Sequence, residues 1–161
     1  MKIDLTNIPS EGKYIKFNLT PEGWEPDFGN DHIIGLSGPL SGWIKAYLTG
    51  RKVAVEGVLS TSLKLRCDRC LESYDEELST KFRFFLSLIP YEGNLDIELS
   101  ENDIDINFID GKYLDSDQII REQIVFNVPV KAICSTDCKG LCPVCGCNLN
   151  IETCSCSAKA D

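Results

Sequence analysis

Nine cysteines in 161 residues, seven of them in the last 28, constrain this chain more than any other feature. They run Cys67-x2-Cys70 in mid-chain, then Cys134-x3-Cys138-x3-Cys142-x2-Cys145-x-Cys147-x6-Cys154-x-Cys156. An odd count leaves no complete disulfide pairing within one chain. In a reducing compartment the sulfurs stay thiols, so the pattern points to metal. A tight turn carrying C-x-x-C aims two sulfurs at one spot, the geometry of a zinc knuckle. Cys142-Pro143-Val144-Cys145-Gly146 is a second such turn, in which proline presets the backbone and glycine frees the following amides to face thiolates. Structural zinc takes four ligands, and nine is two fours and a remainder. Count and proximity therefore place Cys67, Cys70, Cys134 and Cys138 in one site and Cys142, Cys145, Cys154 and Cys156 in another, with Cys147 spare. A single site built from both knuckles is the rival partition, and zinc per chain separates the two. Four thiolates fill a tetrahedral ion, so this zinc is expected to be structural. A thioredoxin-like role needs C-x-x-C at the start of a helix, whereas Cys67 follows one strand-like segment and Cys70 precedes another.

The rest of the chain reads as an α+β domain dominated by antiparallel sheet. From Tyr74 to Leu88 the even positions are apolar in six of eight cases, and the odd positions are polar except Phe85. Period-2 alternation of that length predicts a long strand with one face on a core, ended by Pro90. Tyr14–Leu19, Val53–Leu59 and Leu63–Leu65 read as further strands, with Gly57 a candidate bulge. The glycine-rich run from Gly35 to Gly42 has no lysine of a phosphate-binding loop and reads as turns. Short strand-like pieces follow (Ile97 and Leu99; Ile104, Ile106 and Phe108), then Asp110-Gly111, a hairpin turn signal. Capped by Asp115 or Ser116, a helix is predicted over about 116–128, with Ile120, Ile124 and Val128 on one face and Pro129 as its stop. Leu78, Phe82, Phe84, Leu86 and Leu88 are expected to pack on Ile120 and Ile124. The chain divides into a β-rich part, 1–133, and a cysteine-rich tail, 134–161.

Charge is uneven. Of the net −9, residues 91–118 carry −8, with nine acids against Lys112 alone. That balance excludes a globally basic nucleic-acid binder but not a local basic surface. Residues 43–69 are net +4, and Arg51, Lys52, Lys64, Arg66 and Arg69 are the candidate phosphate contacts. The acidic segment would suit a basic protein partner. One histidine, His32, leaves no Ser-His-Asp set to build from, and a lone histidine is more often a satisfied surface or core residue. The opening Met1-Lys2-Ile3-Asp4-Leu5-Thr6 has no apolar signal region, and no stretch is long and apolar enough to span a bilayer. The expectation is a cytoplasmic protein that is not an enzyme and has no membrane association or small-molecule substrate.

The cysteine segments also carry a family signature. Leu65-Arg66-Cys67-Asp68-Arg69-Cys70-Leu71-Glu72 ahead of an alternating strand, Cys138-Lys139-Gly140-Leu141-Cys142-Pro143-Val144-Cys145-Gly146, Asn148-Leu149-Asn150 and Cys154-Ser155-Cys156 together resemble the bacterial YceD family. Its members are described as large ribosomal RNA subunit accumulation proteins. Cys147 departs from the family pattern, which supports leaving it outside the metal sites. Some members lack much of the tail, so the resemblance implies that zinc supports the structure rather than the shared function. It implies a non-enzymatic role in the synthesis, processing or stability of large-subunit rRNA, through that rRNA or a basic ribosomal protein. A zinc-ribbon-like module associated with nucleic acid or transcription is the alternative, since paired knuckles also build such ribbons.

Overall fold

A computed structural model describes residues 2–23, 28–50, 52–87, 106–108 and 113–156. Its strands are β1 (Lys2–Asp4), β2 (Lys13–Leu19), β3 (Ile33–Leu36), β4 (Leu40–Thr49), β5 (Lys52–Arg66), β6 (Ser73–Ser87), β7 (Ile106–Phe108) and β8 (Tyr113–Asp115). They are followed by helix α1 (Ser116–Asn127). The main sheet runs β2-β4-β5-β6-β7, with β3 also on β5. All its pairings are antiparallel except that of β6 with β7.

The spine is the β5–β6 hairpin, paired from Lys52 with Ser87 to Arg66 with Ser73. The two apolar segments read from the sequence as separate are one strand of 15 residues. Its odd positions Val53, Val55, Leu59, Leu63 and Leu65 are buried in the core, and its even positions lie on the opposite face, partly or fully exposed except for the buried Ala54. Along its other edge β5 meets β4 at one end and β3 at the other. Between β3 and β4, Ser37 and Gly38 both donate backbone N–H groups to the Ser62 carbonyl. Only residues 37–39 of the glycine-rich run therefore leave strand geometry. Gly42 lies inside β4, where a Cβ would overlap the Val58 carbonyl oxygen.

Gly57 is not a bulge. It pairs in unbroken register with Ile44 and Phe82. A Cβ there would lie 2.5 Å from Phe82 Cζ and 2.6 Å from the Trp43 carbonyl oxygen, so glycine makes room for a ring packed over the strand. The sheet's irregular step falls instead in β3, between Ile33 and Gly35.

Helix α1 starts where the sequence predicts. The Asp115 side chain accepts from the Asp117 N–H, and Val128 closes the C-terminal end just before Pro129. Ile119, Ile120 and Ile124 are buried in one core with Leu40, Ile44, Val55, Leu59 and Leu86. Leu78, Phe82 and Phe84 pack half-buried against that core, and Thr80 Oγ1 donates to Asn127 Oδ1 at 3.1 Å. Each fully buried isoleucine contributes about 2–3 kcal/mol, which is why so short a helix holds its place.

β7 and β8 do not form the hairpin that Asp110-Gly111 suggests. β7 adds in parallel to β6, while β8 pairs with β1 in a separate two-stranded sheet, Ile3 opposite Leu114. Both of those residues are buried, so joining the main core wins over local pairing of two three-residue strands. Leu88, Pro90, Ile97, Leu99, Ile104, Asp110, Gly111, Arg51 and most of the acidic segment lie outside the described residues.

Candidate metal centre

The cysteines collect at the far end of the hairpin, where β5 turns into β6. Cys67, Cys70, Cys134 and Cys138 bring their sulfurs together, as do Cys142, Cys145, Cys154 and Cys156, with all ligand atoms of each group within 4.8 Å of one another. Cys147 belongs to neither group. A tetrahedral ion with metal–sulfur bonds of ~2.3 Å requires sulfurs about 3.8 Å apart. In the first group Cys67 and Cys138 are separated by 3.8 Å and Cys70 and Cys134 by 3.7 Å. In the second, Cys145–Cys154 and Cys142–Cys154 are tighter, at 3.5 and 3.3 Å. Spacing and donor type suit zinc in the first group directly and in the second after a few tenths of an ångström of expansion.

Two turns of one design present these sulfurs. In each, the residue after the second cysteine has positive φ (Leu71 at 63°, Gly146 at 73°), and its N–H donates to the first cysteine's carbonyl. Inside the turns, Arg69 N–H points at Cys67 Sγ (3.5 Å) and Val144 N–H at Cys142 Sγ (3.4 Å). Glycine carries such a φ without strain, while leucine costs about 1–2 kcal/mol, so Leu71 marks backbone held by its surroundings.

The hydrogen bonds around the first group tie the tail to the sheet. Asp68 N–H donates to the Ala132 carbonyl (2.7 Å), and Ala132 N–H donates back to Asp68 Oδ2 (2.9 Å). The other Asp68 oxygen meets His32 Nδ1 at 2.8 Å. The Arg69 guanidinium donates to the Cys138 carbonyl (3.1 Å), and its own carbonyl accepts from Leu141 N–H (3.0 Å). Gly140, at φ 74°, lies so close that a Cβ would sit 3.1 Å from that carbonyl. Asn150 Nδ2 donates to Cys138 Sγ at 3.4 Å, and Asn150 Oδ1 accepts from Lys139 N–H. Asp68, His32 and Asn150 thus orient the site without supplying a sulfur. Asp68 sits inside the C-x-x-C and Asn150 among the tail cysteines, but their bonding partners are 64 and 12 residues away, beyond what spacing reveals.

The sulfurs ionise unevenly. Burial pushes the Cys67 thiol up, yet the N–H groups of Cys134, Cys70 and Arg69 outweigh it and bring it down to about 6. Burial, with sulfur neighbours adding to it, pushes Cys134 up to about 12 and raises Cys70 as well. Cys138 is buried too, but the Asn150 amide and the Gly140 N–H bring its thiol down. In the second group the Cys147 N–H and sulfhydryl hold Cys145 down to about 6, while the sulfur interactions of Cys156 with Cys154 and Cys145 push it up to about 12. Four sulfurs this close do not all carry charge unaided, and a divalent cation removes the conflict.

The basic candidates are dispersed. Lys64 and Arg66 are exposed on the outer face of β5. Arg69 spends its guanidinium on Cys138. Lys52 lies at the opposite end of β5, roughly 40 Å from Lys64 at ~3.3 Å per residue. Arg51 is outside the described residues. No helix among the described residues is long and apolar enough to cross a membrane.

Comparison with known proteins places this geometry. The family model for "Large ribosomal RNA subunit accumulation protein YceD" matches residues 55–161, which include both sulfur groups and most of the hairpin. A curated relative from Arabidopsis thaliana, "Large ribosomal RNA subunit accumulation protein YCED homolog 1, chloroplastic", is 31% identical over 129 residues, 66% of this chain and 40% of the relative. Its Zea mays counterpart of the same name is 28% identical over 131 residues, 67% and 44%. The chain therefore spans less than half the length of these relatives. No solved structure matches it.

Proposed function

This chain belongs to the YceD family, and from that premise we propose that it is a non-enzymatic, cytosolic factor supporting the synthesis, processing or stability of large-subunit ribosomal RNA. The observation that carries the proposal is the match over residues 55–161, which takes in the Cys-Asp-Arg-Cys turn, the strand after it and the cysteine tail. The metal chemistry fits this role. Zinc held by four thiolates in each group would leave no coordination position for a substrate, and its contribution would be to the fold. The β-rich part, 1–133, is then the working body, and the tail, 134–161, is the staple that fixes the end of its hairpin. The partner is the rRNA itself or a basic ribosomal protein. Depleting the protein from cells and measuring mature and precursor large-subunit rRNA against small-subunit rRNA tests the reading. A selective fall in the large-subunit species is expected, and an unchanged ratio would refute it.

A further inference from the structure

The sheet face opposite the core holds side chains that neither the core nor the metal centre uses. Outward residues align across four strands in rows. One row is Tyr14, Lys45, Glu56 and Arg83, and the next is Lys16, Trp43, Val58 and Lys81. A shorter third row sets Tyr47 and Phe85 on either side of Ala54. Further along the same face the row is Asn18, Ser41, Ser60 and Ser79, the small polar residues usual on a solvated sheet. Among the described residues, aromatic rings are thus concentrated at one end of the face turned away from the core.

Three of the four rings are paired with a cation. Lys16 lies over Tyr14 at 5.7 Å, Lys45 over Tyr47 at 5.2 Å and Arg83 over Phe85 at 5.4 Å. Tyr14, half exposed, stacks on Trp43 with centroids 5.4 Å apart. Arg83 also donates to the Tyr47 hydroxyl at 3.1 Å, which in turn donates to Glu56 at 3.3 Å. These contacts set the rings before any partner arrives, which lowers the ordering cost of binding. Four cations against Glu56 make the patch net +3 on a chain of net −9.

We propose that this face binds single-stranded RNA, with bases stacking on the Tyr14–Trp43 pair and phosphates taken by the flanking lysines and Arg83. Flat rings interleaved with cations suit unpaired nucleotides, because every base has a stacking surface and every linkage a charge. Local positive charge disfavours the other candidate partner, a basic ribosomal protein. The inference rests on the rRNA role proposed above and gives it a contact surface, at a different end of the sheet from Lys64, Arg66 and Arg69.

The test uses the full chain loaded with zinc, carrying Trp24→Phe so that Trp43 is the remaining indole. The probe is a ten-nucleotide oligouridylate. Binding is expected to quench Trp43 emission and to weaken with salt. Trp43→Leu is expected to weaken binding about 5- to 100-fold. Because that variant touches a stacked pair, Lys16→Gln/Lys81→Gln, both exposed, provides the second reading, a salt slope reduced by about 1.4. Unchanged affinity and slope in both variants would overturn the proposal. So would retention of a basic ribosomal protein by this face with no oligouridylate binding. The parent reading fails separately: an unchanged rRNA ratio on depletion, with oligouridylate binding intact, refutes the cellular role and leaves the surface standing.

Discussion

Replacing Cys134 by serine asks what the first sulfur group does for the fold. Serine keeps the shape of cysteine and exchanges only sulfur for oxygen, so Cys134→Ser opens no sizeable cavity, and what it removes is the fourth sulfur of a clip. That clip joins Cys70 to a residue 64 positions away, the β5–β6 turn to the chain beyond the helix. Closing a loop of that length costs an unfolded chain about 4 kcal/mol, a penalty the native state does not carry once its sulfurs are gathered. At 2–4 °C per kcal/mol for a chain of this size, the main melting transition should fall by roughly 8–16 °C. Cys154→Ser is the internal comparison. It breaks a pairing of residues only 12 apart, wholly within the tail. By the same relation a loop that short costs about 3 kcal/mol, so its melting temperature should fall by roughly 6–12 °C, less than in Cys134→Ser, although both lose zinc. Far-UV circular dichroism melts at fixed total zinc, with metal content measured on each sample, read both effects. A Cys134→Ser protein that has lost zinc yet melts like the parent would refute the clip. A Cys154→Ser protein that loses as much stability as Cys134→Ser would refute the division of labour between the two groups.

Gly57→Ala should destabilise by about 1–3 kcal/mol in urea unfolding, because its Cβ must displace Phe82 or the Trp43 carbonyl. Leu71→Gly should be neutral or stabilising by up to about 1 kcal/mol, since glycine relieves the positive φ, whereas Gly146→Leu at the matching position should cost about that much. At pH 7 the first group holds charge on Cys67, at about 6, and protons on Cys70 and Cys134, both raised, while the Cys138 thiol is lowered from its ordinary range by the Asn150 amide and the Gly140 N–H. Zinc loading there should accordingly release about two to three protons per ion, those of Cys70 and Cys134 and whatever fraction Cys138 still holds, read with a pH indicator in weak buffer on a variant lacking the second group. The sign follows from Cys67: its thiol is held below the ordinary 9.0 at about 6, so its contribution to zinc affinity persists at neutral pH and is lost as pH falls through about 6. Affinity that rises on acidification would contradict the assignment.

The long strand and the helix were legible because each has a period and a boundary residue of its own. Even-position apolar residues announced β6, and Asp115 with Pro129 bracketed α1. The grouping of sulfurs followed from counting in fours, because four is what a tetrahedral ion demands. What the sequence hid depends on distant partners. Gly57 looks like a bulge until Phe82 is seen packed over it. The Gly35–Gly42 run looks like a loop until β3 and β4 are found end to end along β5. β7 and β8 look like a hairpin until Ile3, more than a hundred residues earlier, claims Leu114. The aromatic face was missed for the same reason. Tyr14, Trp43 and Phe85 are scattered in sequence, and only the strand register gathers them on one surface.

The clip between the β5–β6 turn and the tail also imposes an order of events during synthesis. The Cys67–Cys70 turn leaves the ribosome 64 residues ahead of Cys134, a lag of several seconds at ~5–20 residues per second. During that interval the nascent chain carries a half-site of two sulfurs, and β1 still awaits β8. Gathering the first sulfur group therefore waits for the end of synthesis: a chain stopped before Cys134 can pair its central strands but cannot close the cluster. A chain that ends early would keep Cys67 and Cys70 without the two tail sulfurs that complete their group.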